Sequence, residues 1–264
     1  MLINRTLWKV PFRSDSPPLW KCPTCKEGNL QLDPKQLSFY ETNHSKEARG
    51  ADDWDPDWIQ YSFAAVFACN NSKCKEVVTC CGDGRVDGNQ YEDQNGDVDI
   101  EYHEVFFPKY FSYPLDVFPI PASCPKEIQD EVRKSFQIFM ADPSSAANHI
   151  RTAIEHLMTF LKVKRFDKNK GKTLVNISLH RRIIIYGTKK KAVADKLLAI
   201  KWLGNAGSHP GGITKDDMLD AYDILEHVLS PIFDPTHRDI DAIVDGINRN
   251  EGPLQKKHTT RGRK

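Results

Sequence analysis

Four cysteines stand in two tight pairs, Cys22-Pro23-Thr24-Cys25 and Cys69-Asn70-Asn71-Ser72-Lys73-Cys74. Two turns that each present two thiolates supply the four soft ligands of a tetrahedral zinc ion. Pro23 and the Asn70-Asn71-Ser72 run suit such turns. The chain holds seven cysteines, an odd number, and its N-terminus lacks the apolar run of a signal peptide, which argues against a disulfide framework. Cys-x-x-Cys with an internal proline also serves redox chemistry, but no βαβ pattern follows it here. A four-thiolate site has no open position, so the expected ion is a structural Zn2+ without a catalytic role. His44, Cys80 and Cys81 are spare ligands that could replace one of the four. Cys124, alone beside Pro125, reads as a small apolar filler.

A second group of polar residues lies in IKWLGNAGSHPGG, residues 200–212. KKKAVADKLLA before it is built from helix formers, and Pro210-Gly211-Gly212 cannot continue a helix. At 100° per residue Val193, Leu197, Ile200, Gly204 and Gly207 share one stripe. Each glycine costs a helix about 1 kcal/mol against alanine, and a close approach by a neighbouring helix would explain that cost. Lys201, Asn205 and His209 fall on a polar flank, available for a site near the helix end. In NHIRTAIEHL, Arg151 and Glu155 flank an apolar stripe at i, i+4, in the order less favourable for a surface pair. A salt bridge that orients the bundle is the plainer account of them.

The elements that must position these groups divide the chain. WIQYSFAAVFAC (58–69), KEVVTCCGDGRVDG (75–88) and DIEYHEVFFPKYF (99–111) read as strands, rich in aromatic and β-branched residues. Asn95-Gly96 between two strand-like flanks predicts a type I′ hairpin. The acidic residues around it do not fit a calcium loop, which needs glycine and glutamate in a different register. Trp54 and Trp58 stand among aspartates, a setting for the module's own core or a protein contact. SYPLDVFPIPASCP (112–125) is a stiff connector with four prolines. Helices follow: one over 126–140 after Pro125; one capped by Asp142, with Ile150, Ile154, Leu157 and Leu161 on its apolar stripe; one over 174–186; the histidine helix. The last is capped by Thr214 and buries Leu219, Tyr222, Leu225, Val228, Leu229 and Ile232.

Charge divides at the same place. Residues 1–120 carry 12 Lys and Arg against 19 Asp and Glu, a net −7, and the remainder carry 25 against 17, a net +8. The basic half could meet a polyanion. No apolar run approaches the roughly 20 residues that span a bilayer, so a cytoplasmic protein with no membrane association is expected.

SSAANHIRTAIEHL, LLAIKWLGNAGSH and DDMLDAYDILEHVLSPIF together resemble the domain-of-unknown-function 4145 family, which is grouped with the HEPN helical domains. The resemblance covers about residues 120–235. It implies a helical bundle, often a homodimer, with the histidine helices meeting near a two-fold axis. Many HEPN proteins are metal-independent endoribonucleases, in which an arginine holds the scissile phosphate and a histidine moves protons around the ribose 2′-hydroxyl. Carried onto this chain, the resemblance gives His209 the histidine's role and Asn205 the polar position four residues before it. Gly204 stands directly before Asn205; Lys201 is the nearest upstream cation, and Arg151 could serve from the neighbouring helix with Glu155.

The expected fold is α+β: a zinc-ribbon-like β-rich module (1–118), a HEPN-like bundle (119–248) and a basic disordered tail (249–264). The expected function is an RNA role, with endoribonuclease activity in a bacterial defence or toxin context. The alternative is a non-catalytic, zinc-stabilised module that binds a protein partner or a nucleotide.

Overall fold

The computed structural model describes residues 3–92, 96–168, 173–206, 212–234 and 240–251. A short helix α1 (Thr6–Lys9) comes first. It is followed by strands β1 (Leu30–Glu41), β2 (Gln60–Cys69), β3 (Val77–Glu92) and β4 (Val98–Phe111), with α2 (Asn43–Ala48) between β1 and β2. The four strands form an antiparallel sheet in sequence order. Helices α3 (Lys126–Ile138) and α4 (Pro143–Phe160) follow. A small hairpin, β5 (Phe166–Lys168) and β6 (Leu174–Asn176), leads into α5 (Leu179–Gly187), α6 (Lys191–Ala206), α7 (Lys215–Phe233) and α8 (Ile240–Asn250). The architecture is α+β, as expected.

Period-two alternation builds the central strands. Phe63, Ala65, Phe67 and Cys69 of β2 are buried and alternate with more exposed residues. β1 has no such pattern: only Leu30 is buried along it, and Pro34 lies inside it. It is an edge strand, where proline is tolerated, and its register shifts between Leu32 and Leu37. β3 bends at a shift between Cys81 and Gly82, where a Cβ on Gly82 would stand 2.1 Å from the Phe107 carbonyl oxygen. Beyond the Gln60–Arg85 pair, β3 and β4 continue together as a two-stranded ribbon to Glu92 and Val98. Gly96 at its tip has φ +88°, while Asn95 lies outside the described residues.

The sheet's inner face meets the helices through one continuous apolar core. Phe12 and Trp20 cross the sheet and touch Phe67, and Trp20 also meets Phe111. The start of the chain reaches the helices. Trp8 packs edge-on to Phe139, the Ile3 amide donates to the Asp223 carboxylate at 2.8 Å, and Arg5 bonds Asp220 and Asp223. Phe118, Phe136, Phe139 and Tyr222 close the centre, where Tyr222 and Ser135 share a buried hydrogen bond of 2.7 Å.

Caps fix where the helices begin. Asp142 accepts from the Ser145 amide, and Thr214 and Asp217 form a reciprocal capping box. The expected helix over 174–186 is corrected in part. Residues 174–176 pair with 166–168, and the helix starts after Ser178, which caps it through the Arg181 amide. The β-branched Val175 and the cap-forming Ser178 favour that division. Leu179, Arg182 and Ile183 form the buried stripe of α5, so Arg182 enters the core. Its guanidinium donates to the Glu155 and Val163 carbonyls and to the Thr159 hydroxyl, closing the C-terminal end of α4. Burial lowers its pKa. Among the described residues no helix is long and apolar enough to cross a membrane.

Removing the α7 capping box by Thr214→Ala is expected to cost about 1 kcal/mol in urea unfolding at neutral pH. The Asp217 carboxyl is held below its usual range, first by hydrogen bonding with the Thr214 backbone amide and then by the Thr214 hydroxyl. A depressed folded pKa contributes stability above the unfolded value and loses it as pH falls through the folded one. The difference between wild type and variant should therefore shrink in acid; an undiminished difference would remove the carboxylate from the account.

Candidate functional site

Cys22, Cys25, Cys69 and Cys74 converge, with all four sulfur atoms within 4.8 Å of one another. The Cys22–Cys74 and Cys25–Cys69 sulfur separations are 3.8 and 3.7 Å. Four sulfurs at about 2.3 Å from a central ion would stand about 3.8 Å apart along the edges of a tetrahedron. The donor set and its spacing therefore fit a metal ion of the kind that tetrahedral thiolate sites take. Cys22 and Cys69 are buried, and Cys25 and Cys74 are half-buried.

The two turns are built alike. The Cys22 amide donates to the Gly28 carbonyl at 2.9 Å, and the Cys69 amide to the Glu76 carbonyl at 2.8 Å. The residue after each second cysteine, Lys26 and Lys75, has a left-handed backbone (φ 59° and 52°). The Gly28 amide points at the Cys25 sulfur and the Asn71 amide at the Cys69 sulfur, both at 3.4 Å. Such N–H donors favour the thiolate. The Gly28 amide is the main reason that the Cys25 thiol is lowered to about 6. Burial dominates at Cys69 and pushes its thiol up to about 12. The Asn70 side chain accepts from the Asn29 amide, tying one turn to the other.

Gly28 was not singled out from the sequence. A Cβ there would stand 2.5 Å from the Cys69 sulfur, so the turn closes only over glycine. A glycine three residues after a Cys-x-x-Cys was the available signal. His44, Cys80 and Cys81 are not part of the cluster. Cys80 and Cys124 are buried, and burial raises both thiols, as befits an apolar filler at Cys124.

The polar groups of the helical half come together in part. Arg151 on α4 donates to the Asn205 side-chain oxygen on α6 at 3.3 Å, and its guanidinium lies 4.0 Å from Glu155 on the turn above. All three residues are solvent-accessible. The Arg151–Glu155 pair is thus within one helix, and the contact that crosses between helices is Arg151 to Asn205. Lys201 is corrected. It is not a free cation on a polar flank but is 8% exposed, with its ammonium 3.5 Å from the centre of the Trp202 ring. Its long apolar stem sinks beside the packed stripe, a freedom that a 100° projection does not capture. His209 and Gly207 lie outside the described residues.

Gly204 is buried against α4, as its stripe implies. The close approach expected there is not required. A Cβ on Gly204 would meet the Ala147 carbonyl oxygen at 3.6 Å, an ordinary contact.

Residues 133–250 match the family described as domain of unknown function DUF4145, and residues 10–111 match domain of unknown function DUF8608. The first match agrees with the resemblance read from the helices; the second covers the sheet and all four clustered cysteines. No curated protein and no solved structure matches the chain.

Gly28→Ala is expected to lose most of the bound metal, measured as ions per chain by plasma emission and as reactive thiols with a colorimetric reagent. A variant that keeps a full complement would refute the steric account. Gly204→Ala should be accommodated and gain roughly 0.5–1 kcal/mol in urea unfolding. A loss of stability there would restore the close-packing requirement.

Proposed function

We propose that this is a zinc-stapled, HEPN-like cytoplasmic protein that binds RNA, with Arg151 and Asn205 holding a phosphate and its ribose edge at the α4–α6 seam. The observation that carries the reading is the 3.3 Å contact between the Arg151 guanidinium and the Asn205 amide oxygen. It joins two residues 54 positions apart at a half-exposed spot of the basic half. An arginine fork matches phosphate geometry, and an asparagine amide can both donate to and accept from a ribose hydroxyl. The zinc has a structural part: with four thiolate ligands and no open position it would staple the sheet and take no share in chemistry.

His209, carried over from the family, would move the proton at the 2′-hydroxyl, which makes endoribonuclease the activity to test, in a defence or toxin setting. A homodimer through the helical half would bring two such seams together. A second reading, a non-catalytic module for a protein or nucleotide, draws support from Glu155: its carboxylate 4.0 Å from Arg151 tempers the cation that a cleavage site would want unopposed.

Labelled single-stranded RNA and transfer RNA, with no added divalent ion, test the proposal. Arg151→Ala should weaken binding about tenfold, the scale of one charge-assisted hydrogen bond pair. His209→Ala should bind as wild type does but stop cleavage on a denaturing gel. Equal cleavage by wild type and His209→Ala ends the catalytic role. Wild type that binds neither RNA ends the RNA reading and leaves the second.

A further inference from the structure

The α4–α6 seam continues over α6 to an exposed aromatic ring. Trp202 is 57% exposed on a helix that buries Leu197 and Ile200. Its neighbour Lys201 is 8% exposed, and its ammonium rests 3.5 Å from the Trp202 ring centre. No described carboxylate or hydrogen-bond acceptor engages that ammonium, so the indole face is its visible partner. A ligand anion would find that ammonium held in one place beside the ring. His180 on α5 stands beside the same indole, ring centres 5.8 Å apart and tilted by 55°. Asn205, one turn beyond Lys201, takes the hydrogen bond from Arg151. Helices α4, α5 and α6 thus present two cations, an imidazole, an amide and a large flat ring on adjoining turns.

We infer that Trp202 is the stacking platform for an unpaired RNA base, with the Lys201 ammonium and Arg151 taking the phosphates on either side of it. The inference rests on the RNA reading above and adds to it the residue that would hold the base. An exposed indole stacks any base because every base has a π face. In duplex RNA the bases are stacked on each other and the deep major groove excludes side chains, so the ring can engage only an unpaired strand. The groove on the other side of Trp202, lined by Ala199, Leu203 and Ile224, ends at Asp220 and Asp223. These carboxylates already pair with Arg5, and the two cations at the seam, Lys201 and Arg151, face no described carboxylate closer than 4.0 Å.

The test uses the full chain and two probes, a labelled oligouridine and a blunt RNA hairpin, read by fluorescence anisotropy at two salt concentrations. Trp202→Ala should weaken oligouridine binding about tenfold and leave hairpin binding unchanged. Trp202→Phe, which keeps a ring, should restore most of the loss. The Trp202→Ala ratio should hold as salt rises, whereas the Arg151→Ala ratio shrinks, because stacking is not screened and ion pairing is. Oligouridine bound equally by wild type and Trp202→Ala, with Arg151→Ala still weakened, overturns the stacking role and leaves RNA binding in place. Wild type that binds neither probe overturns both. Loss of a dimer in light scattering on Trp202→Ala, with RNA binding unchanged, assigns the ring to a second copy of the chain and also overturns the inference.

Discussion

Four sulfur atoms packed within 4.8 Å of one another, from chain segments 44 to 52 residues apart, set the conditions for the whole first half. Cys69 is the last residue of β2 and pairs directly with Leu30, the first residue of β1. The cluster therefore sits at the open end of the β1–β2 pair and fixes its register. β1 needs that help: Leu30 is its one fully buried residue, Leu32 and Leu37 are partly buried, and it carries Pro34 and slips register at Leu32–Leu37. A strand with one fully buried side chain has little apolar free energy with which to choose its partner. Closing two cysteine turns against each other makes the choice for it. Structural zinc in small peptides supplies about 10–16 kcal/mol, as much as the net stability of an ordinary domain. An ion of that kind would explain how a half-chain of net charge −7 keeps an edge strand in place.

The helical half uses other means to the same end. Its helices are set by caps at Asp142, Ser178 and Thr214, by apolar stripes and by the buried guanidinium of Arg182. Arg182 gathers three acceptors at the end of α4 and so fixes α5 against it. The antiparallel course of α5 and α6 follows, with Gly187 beside Ala194 at one end and His180 beside Trp202 at the other. The N-terminal strap, Ile3 and Arg5 on Asp223, holds α7 from the opposite side. The position of Asn205 relative to Arg151 is thus the outcome of two separate constraints, the Arg182 anchor and the Gly204–Ala147 contact.

What could be read from the sequence was whatever had a period or a cap. The cysteine ligands were legible because their spacing is the chemistry. The helix starts at Asp142 and Thr214 were legible because capping residues and proline announce them, and β2 because it is rich in aromatic and β-branched residues. β1 was not, since its register comes from the cluster and not from its own pattern. Residues 174–186 carry apolar and β-branched residues that suit either state, and only the pairing of 174–176 with 166–168 decides it. Lys201 was misplaced for a simpler reason. A helical projection locates the Cβ, but a four-carbon stem can carry the ammonium back over the packed face. Arg182 was available at i, i+3, i+4 with Leu179 and Ile183, yet a charged residue on an apolar stripe is discounted unless its acceptors are known.

The two cations of the seam differ in how freely they can meet an anion, and this difference gives the patch its direction. Arg151 is exposed and only loosely paired with Glu155 at 4.0 Å, and exposed pairs of this length contribute little. Its guanidinium can leave the carboxylate at small cost and take another partner. Lys201 cannot move in this way, because its stem is buried and its ammonium is seated on the indole. The seam therefore carries one cation fixed by the packing of α6 and one on α4 whose place is set only by exposed contacts with Glu155 and Asn205. The difference follows from where the two stems leave their helices: that of Lys201 runs beside the packed stripe, and that of Arg151 starts from the solvent side.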